Sequence, residues 1–238
     1  MEHYVKNGDT KIWTEMNGIK NKGYVILCNG GPGDCDYLLP VSQMIDDGFA
    51  VIRFEPRGCG RSDKDGKYDI ETTISDLEAI REYYEIESWI ICGHSFGALT
   101  ALFYVVANPD RVISFIDIAG GGLQYSDKWL ADYHVNLKKY GEARPEMPYE
   151  MDLDVNQAGF LSFLHYIQSP NLYKTISELK IPALFICAEK DIRPNWPTYQ
   201  IQALIEKSKL VSIPDAAHYI WLTHYNELKF ELRNFLGL

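Results

Sequence analysis

Three residues of this chain have the types and the order needed for nucleophilic attack on an acyl group: Ser95, Asp191 and His218. A serine hydroxyl is a weak nucleophile near neutral pH. It needs a base to take its proton and a carboxylate to orient that base. Ser95 is the centre of Gly93-His94-Ser95-Phe96-Gly97, a G-x-S-x-G string. Chance alone places such a string in roughly one chain of this length in fifteen, so its position matters more than its letters. It directly follows the apolar run WIIC and opens a nearly all-apolar segment. A strand turning sharply into a helix there would lift the hydroxyl above the end of a sheet. Flanking glycines keep side chains clear of the neighbouring backbone, and the helix N-terminus favours negative charge. The competing reading is a glycine-rich turn with an incidental serine.

The order serine, acid, histidine along the chain goes with a nucleophile of this kind. Asp191 lies in AEKDIRP, just past the apolar run PALFICA, which puts it on a loop at the carboxyl edge of a sheet. Glu189 is its neighbour and competitor, and Asp117 sits inside the run VISFIDI rather than past it. A capping or turn role is the other reading of Asp191. His218 follows KLVSI in IPDAAHY, again just past a strand-like run. Of the other histidines, His3 precedes the fold and His94 adjoins the serine, where its side chain should point away. His134 and His165 lie in a segment without strand character, and His224 begins the last helical pattern. The tetrahedral intermediate needs two fixed N–H donors. Asn29-Gly30-Gly31-Pro32-Gly33, after the run YVILC, supplies a loop whose backbone can approach a ligand. The backbone N–H groups of Gly31 and Phe96 are the expected oxyanion donors. This chemistry needs no metal and no organic cofactor, and no Cys or His pair has zinc-ligand spacing.

These residues must be carried by regular elements. Tyr4–Val5 and Lys11–Glu15 flank Asn7-Gly8-Asp9, which predicts a hairpin. Strands are then predicted at Tyr24–Cys28, Phe49–Phe54, Trp89–Cys92, Val112–Ile118, Pro182–Ala188 and Lys209–Ile213. Helices are predicted at Tyr37–Asp47, Thr72–Tyr84, Phe96–Ala107 and Tyr225–Leu236. The alternation specifies an α/β fold with a mostly parallel sheet. Residues 123–180 break the rhythm. They are rich in Tyr, Asp, Glu and Pro, lack a buried-strand run, and read as a helical insertion.

The chain has 238 residues and a net charge of −10. That acidity argues against nucleic acid, whose phosphates need clustered Lys and Arg, and against anionic membranes. No stretch approaches the ~18 apolar residues of a membrane span, and MEHYVKNGDTKIW lacks signal-peptide character. The five cysteines are odd in number and three lie in apolar runs, which reads as buried thiols in a reducing compartment. The cytoplasm is the expected location.

NGGPG, Arg57-Gly58-Cys59-Gly60-Arg61-Ser62, GHSFG, the Glu189-Lys190-Asp191 loop and the Ala216-Ala217-His218 loop occur in the order of the α/β-hydrolase superfamily. The resemblance covers nearly the whole chain. It implies the α/β-hydrolase fold: a mostly parallel sheet of the eight-stranded type, flanked by helices, with its core in residues 1–122 and 181–238. A small helical cap would occupy 123–180. Within the superfamily, GGPG followed by Asp36-Tyr37-Leu38-Leu39 and then GCGRS resembles the proline iminopeptidase group, which removes an N-terminal residue, often proline, from peptides. Asn29 stands where that group usually has histidine, Phe96 where it often has tryptophan, and the cap is shorter. That group commonly holds the substrate's amino terminus with acidic cap side chains. Glu142, Glu146, Glu150, Asp152 and Asp154 are the acids available here.

The resemblance therefore implies an aminopeptidase acting on small peptides or amides through an acyl-enzyme. Gly30, Tyr125, Trp129, Glu142 and Glu146 are its candidate substrate contacts, with Tyr133 and Tyr140 as further cap aromatics. Phe160, Phe163 and Leu164, at helical spacing, read as core. A carboxylesterase, a C–C hydrolase or lyase, and a non-catalytic small-molecule receptor are the alternatives that these motifs leave open.

Overall fold

A computed structural model describes residues 2–238. The predicted hairpin opens the fold: β1 (Glu2–Asn7) pairs antiparallel with β2 (Thr10–Gly18), with Asn7 opposite Thr10. The turn between them is Gly8-Asp9, and Gly8 supplies the positive φ, 63°, that such a two-residue turn requires. The βα alternation follows through β3 (Tyr24–Cys28), α1 (Leu39–Ser42), β4 (Ala50–Phe54), α2 (Ile70–Tyr83), β5 (Trp89–His94), α3 (Phe96–Ala107) and β6 (Val112–Ile118). Three helices come next: α4 (Asp127–Tyr140), α5 (Leu153–Tyr166) and α6 (Leu172–Ser177). The sheet resumes with β7 (Ala183–Ala188), followed by α7 (Trp196–Leu204), β8 (Ser208–Ile213) and α8 (Tyr225–Leu236).

The eight strands lie in the order β1-β2-β4-β3-β5-β6-β7-β8. The pairings of β2 with β1 and β4 are antiparallel, and the other five are parallel. This is the eight-stranded, mostly parallel sheet expected from the alternation. From β3 the chain moves outward to β4 and then returns to β5 on the opposite side of β3. Such a reversal opens a crevice at the carboxyl ends of β3 and β5. NGGPG and GHSFG leave the sheet at those two ends.

Side chains alternate across the inner strands, so both faces are buried. Ile26, Ile52 and Ile91 pack with Leu77 and Ile80 of α2 and Leu102 and Val105 of α3. Val25, Val51 and Ile90 pack with Val41 of α1 and Leu228 and Leu232 of α8. This two-sided burial is why the strands read as continuous apolar runs.

Two elements differ from the sequence reading. The helix predicted at Tyr37–Asp47 is α-helical only over Leu39–Ser42. Beyond it the bonds tighten to three-residue steps, Met44 N–H to Val41 and Ile45 N–H to Ser42, which seat Met44 and Ile45 in the core. Conversely, the sequence reading leaves 189–208 without a helix, and α7 lies there. Its signal is Asn195-Trp196-Pro197, a proline in the first helical turn ahead of the buried Thr198 and Ile201.

The Arg57–Ser62 motif does structural work rather than chemistry. Arg57 is buried and bonds both oxygens of Asp76 at 2.7 Å. Arg61 bonds the fully buried Glu55 and lies over the Trp13 ring, 3.3 Å from its centroid. Ser62 bridges the Glu55 carbonyl and the Trp13 N–H at 2.6 and 2.9 Å. The motif thereby fixes the strand end after β4 to the N-terminal hairpin.

Candidate active site

Ser95 sits between β5 and α3 with φ 57° and ψ −124°. Positive φ is uncommon for a residue with a side chain and costs of order 1–3 kcal/mol. The surroundings impose it. The Ser95 N–H is held by the Ile118 carbonyl of β6 at 3.0 Å, and the Ser95 carbonyl takes the Ala98 N–H at 3.1 Å. At Gly97 the helix runs so close to β3 that a Cβ would collide with the Cys28 and Asn29 carbonyls. Gly30 is packed as closely from the other side: a Cβ there would lie 2.5 Å from that of Ser95. The glycines of the two motifs thus bring the ends of β3 and β5 into direct contact. Phe96 is the first residue of α3, so its N–H has no carbonyl one turn back within the helix.

The loops after β7 and β8 bring Asp191 and His218 together. His218 Nδ1 lies 2.6 Å from Asp191 Oδ2, and both side chains are buried. Asp191 Oδ1 accepts the Arg193 N–H at 2.8 Å. Burial pushes the Asp191 carboxyl up, but His218, Arg193 and that N–H outweigh it and hold it below its ordinary value. Burial lowers His218 more than Asp191 raises it, so the imidazole is neutral at pH 7. The acceptor carboxylate fixes the proton on Nδ1 and leaves the lone pair on Nε2. Nε2 is buried and has no hydrogen-bond partner among the described residues, so a bond from Ser95 to His218 is not formed in this structure. Catalytic hydrogen bonds are often open in the absence of substrate.

A cleft of about 510 Å³ opens over Ser95, within the usual range for small-molecule sites. Gly31 and Phe96 line it, as do Tyr125, Trp129 and Tyr133 from the segment after β6. Tyr140 does not. Trp129 and Tyr133 stack at 5.4 Å and 9°, and Tyr125 meets Phe160 edge-on at 4.9 Å. Phe160 touches Phe163, which in turn meets Phe96 beside the serine at 6.0 Å. Phe160 and Phe163 therefore line the cleft as well as joining the core. The indole N–H of Trp129 is buried without a partner among the described residues.

The opposite end of the cleft is charged, and sequence reading misses most of it. Arg144, on the linker between α4 and α5, donates to Asp34 Oδ2 at 2.8 Å and to the Tyr219 hydroxyl at 3.2 Å. Glu142, two residues earlier, accepts from Arg193. Burial raises Asp34 to about 6 despite the opposing Arg144 charge. One short linker is thereby bonded to the loops that carry Gly31, Asp191 and His218. The only sequence signal was that Asp34 and Arg193 lie within three residues of Gly31 and Asp191.

The remaining candidates divide. Gly30 backs Ser95 without lining the cleft. Glu146 is exposed and outside the lining, as is Glu150. Asp152 caps α5 through the Asp154 and Val155 N–H groups, pairs with Lys64, and donates its own N–H to the Gly33 carbonyl at 2.9 Å, so its carboxylate is engaged outside the cleft. Asp117 faces the backbone, accepting the Gly120 N–H at 2.7 Å, and burial raises it to about 7. No group of three or more His, Cys, Asp or Glu could hold a metal ion among the described residues. None of the described helices is long and apolar enough to cross a membrane.

Comparison with known proteins agrees with this fold. Residues 23–171 match the family model described as alpha/beta hydrolase fold. The chain is 31% identical over 109 residues to a probable proline iminopeptidase of Leptolyngbya boryana, a match covering 44% of this chain and 34% of that one. It spans about a third of the length of several curated relatives it matches. A proline iminopeptidase of Thermoplasma volcanium is 25% identical over 203 residues, covering 73% of this chain and 68% of its own. Among solved structures, Est816, described as an N-acyl homoserine lactone degrading enzyme, superposes with a TM-score of 0.80 at 19% identity. That superposition covers 98% of this chain and all of Est816. With a family model matched over more than half of its residues, the chain belongs to the alpha/beta hydrolase fold family and resembles the proline iminopeptidases.

Proposed function

We propose that this enzyme is a serine hydrolase that cleaves small esters or amides with an uncharged, apolar acyl group. Ser95, His218 and Asp191 are its triad, and the helices between β6 and β7, within residues 123–180, are its cap. The observation that carries the reading is the cleft itself. The strained Ser95 lies at its floor, an aromatic wall stands on one side, and the carboxylates on the other side are already paired with arginines.

In this mechanism the substrate carbonyl carbon lies against Ser95 Oγ. As the Oγ–C bond forms, the hydroxyl proton moves to His218 Nε2 and the carbonyl π pair moves onto oxygen. Asp191 keeps the imidazole in the right tautomer and stabilises its charged form. The Gly31 and Phe96 N–H groups bind the oxyanion, each contributing about 3 kcal/mol. The Gly30 N–H is taken by the Tyr37 hydroxyl, which leaves that of Gly31 to turn toward the cleft. The oxyanion collapses, the bond to the leaving group breaks, and His218 gives that group its proton. Water then repeats the sequence on the acyl-enzyme, losing a proton to His218, and Ser95 is regenerated. No metal is invoked.

The second reading is an aminopeptidase on small peptides, favoured by the run of proline iminopeptidase relatives. It requires Asp34 or Glu142 to leave its arginine for the substrate's ammonium group. A panel of p-nitrophenyl esters, proline 2-naphthylamide and N-acetylproline 2-naphthylamide separates the two. Hydrolysis of the esters, with the naphthylamides slow and indifferent to acetylation, supports the first reading. Fast cleavage of proline 2-naphthylamide that acetylation abolishes replaces it with the second.

A further inference from the structure

Two buried polar side chains beside Ser95 are not used by the chemistry above. Tyr37 lies in the loop after β3 and His94 is the last residue of β5, and both are buried. The Gly30 N–H donates to the Tyr37 hydroxyl at 2.6 Å. That hydroxyl lies 2.8 Å from His94 Nδ1, and His94 Nε2 lies 3.1 Å from the carbonyl oxygen of His218. The donors can be assigned. A carbonyl only accepts, so His94 carries its proton on Nε2. A neutral imidazole then has a bare Nδ1, which accepts from Tyr37. Tyr37 in turn accepts from Gly30, and every polar group of the chain is satisfied.

Charge agrees with that assignment. Burial holds His94 well below its ordinary value and Tyr37 well above, so both stay neutral throughout the working pH range. The rings are fixed by packing as well. Tyr37 stacks on Trp221 at 6.0 Å and 20°, and His94 meets Trp221 edge-on at 4.8 Å.

The topology gives this connection a purpose. The Gly30–Gly31 loop follows β3 and the His218 loop follows β8, with β5, β6 and β7 lying between those strands in the sheet. No strand pairing ties the two loops together. We infer that Tyr37 and His94 are positioning residues: a neutral relay of three hydrogen bonds that holds the oxyanion loop in register with the backbone of the base. The inference rests on the reading of Ser95 as the nucleophile and adds to it a device that no triad residue supplies. Tyr37→Phe would orphan the buried Gly30 N–H and His94 Nδ1, freeing the donor loop to shift by a fraction of an ångström. Misplacements of about 1 Å cost around a hundredfold in rate.

The test is the rate of phosphonylation of Ser95 by a fluorophosphonate probe, resolved into a probe-binding constant and a maximal inactivation rate. It is run on the wild type, Tyr37→Phe, His94→Leu and His94→Gln, with a thermal melt for each. Glutamine keeps one acceptor and one donor, so it can restore the relay where leucine cannot. The expected result is a maximal rate about 10- to 100-fold lower in Tyr37→Phe and His94→Leu, with probe binding within about threefold of the wild type. His94→Gln should recover most of the rate. Wild-type maximal rates in Tyr37→Phe, or equal losses in His94→Gln and His94→Leu, would overturn the relay while leaving the nucleophile intact. A wild type that is not labelled at Ser95 would overturn the nucleophile reading itself. Tyr37→Phe keeps the ring packing, so the question remains answerable if His94→Leu fails to fold.

Discussion

Arg144 reaches from the linker between α4 and α5 to Asp34, beside the Gly30–Gly31 loop, at 2.8 Å, and pairs with that carboxylate in the cleft. The pairing does not fully offset burial, since Asp34 still sits at about 6. An acid whose folded pKa lies above its unfolded value binds more protons when folded. Its stabilising contribution is full below the unfolded value, near 4, and is lost as the pH rises through about 6.

Asp34→Asn should therefore remove a contribution that falls with pH. In urea unfolding between pH 4 and pH 7, wild type minus variant stability is expected to fall by up to about 3 kcal/mol as the pH rises. Asp36, Asp76 and Asp117 are shifted the same way as Asp34, and the buried His94 and His218 the opposite way, so the difference between the two proteins, rather than the wild-type slope, reads Asp34. An unchanged slope in Asp34→Asn would contradict this account of the pair.

The backbone at Ser95 predicts a trade between activity and stability. Glycine adopts φ 57° without the strain that a side chain brings, but it loses more entropy on folding. Ser95→Gly is expected to abolish turnover and to raise stability by about 1 kcal/mol. Chemical denaturation reads the second effect, and a loss of stability would argue against the strained turn.

Close packing under the turn makes the opposite prediction at Gly97. A methyl group there meets two backbone carbonyls, which cannot rotate aside. Gly97→Ala should cost at least about 2 kcal/mol, and activity and stability should fall together. A well-folded, fully active variant would show that β3 and α3 are further apart than described.

The dyad predicts the pH profile. His218 must be neutral to accept the Ser95 proton, and burial holds its pKa below 6.5. Activity on a p-nitrophenyl ester should therefore rise through an apparent pKa below 6.5 and be level at neutral pH. Asp191→Asn should lower kcat by about 10⁴ by removing the acceptor that fixes the tautomer.

Much of this was legible in the sequence because the signals are local. YVILC, FAVIRF and PALFICA are buried on both faces, so they read as strands whatever their partners. Ser95, Gly31 and Asp191 each sit three residues past such a run, and His218 sits five past the half-exposed edge run KLVSI, so strand ends fix their place. Contacts between distant segments left no such trace. Nothing near Arg144 in the sequence points to Asp34, 110 residues away, or to Tyr219, 75 residues away. The pairing of Glu142, which lines the cleft, with Arg193 of the Asp191 loop likewise left no trace in the sequence. The short α1 shows the same limit, since core packing of Met44 and Ile45 overrides a helical pattern.

The central claim is that Ser95 is the nucleophile, and covalent capture tests it most directly. Wild-type protein and Ser95→Ala are treated with a fluorophosphonate probe, digested, and mapped by mass spectrometry. The account predicts one stoichiometric adduct, on the peptide containing Gly93-His94-Ser95-Phe96-Gly97, and none in Ser95→Ala. An adduct at another residue, or full ester hydrolysis by Ser95→Ala, would contradict it.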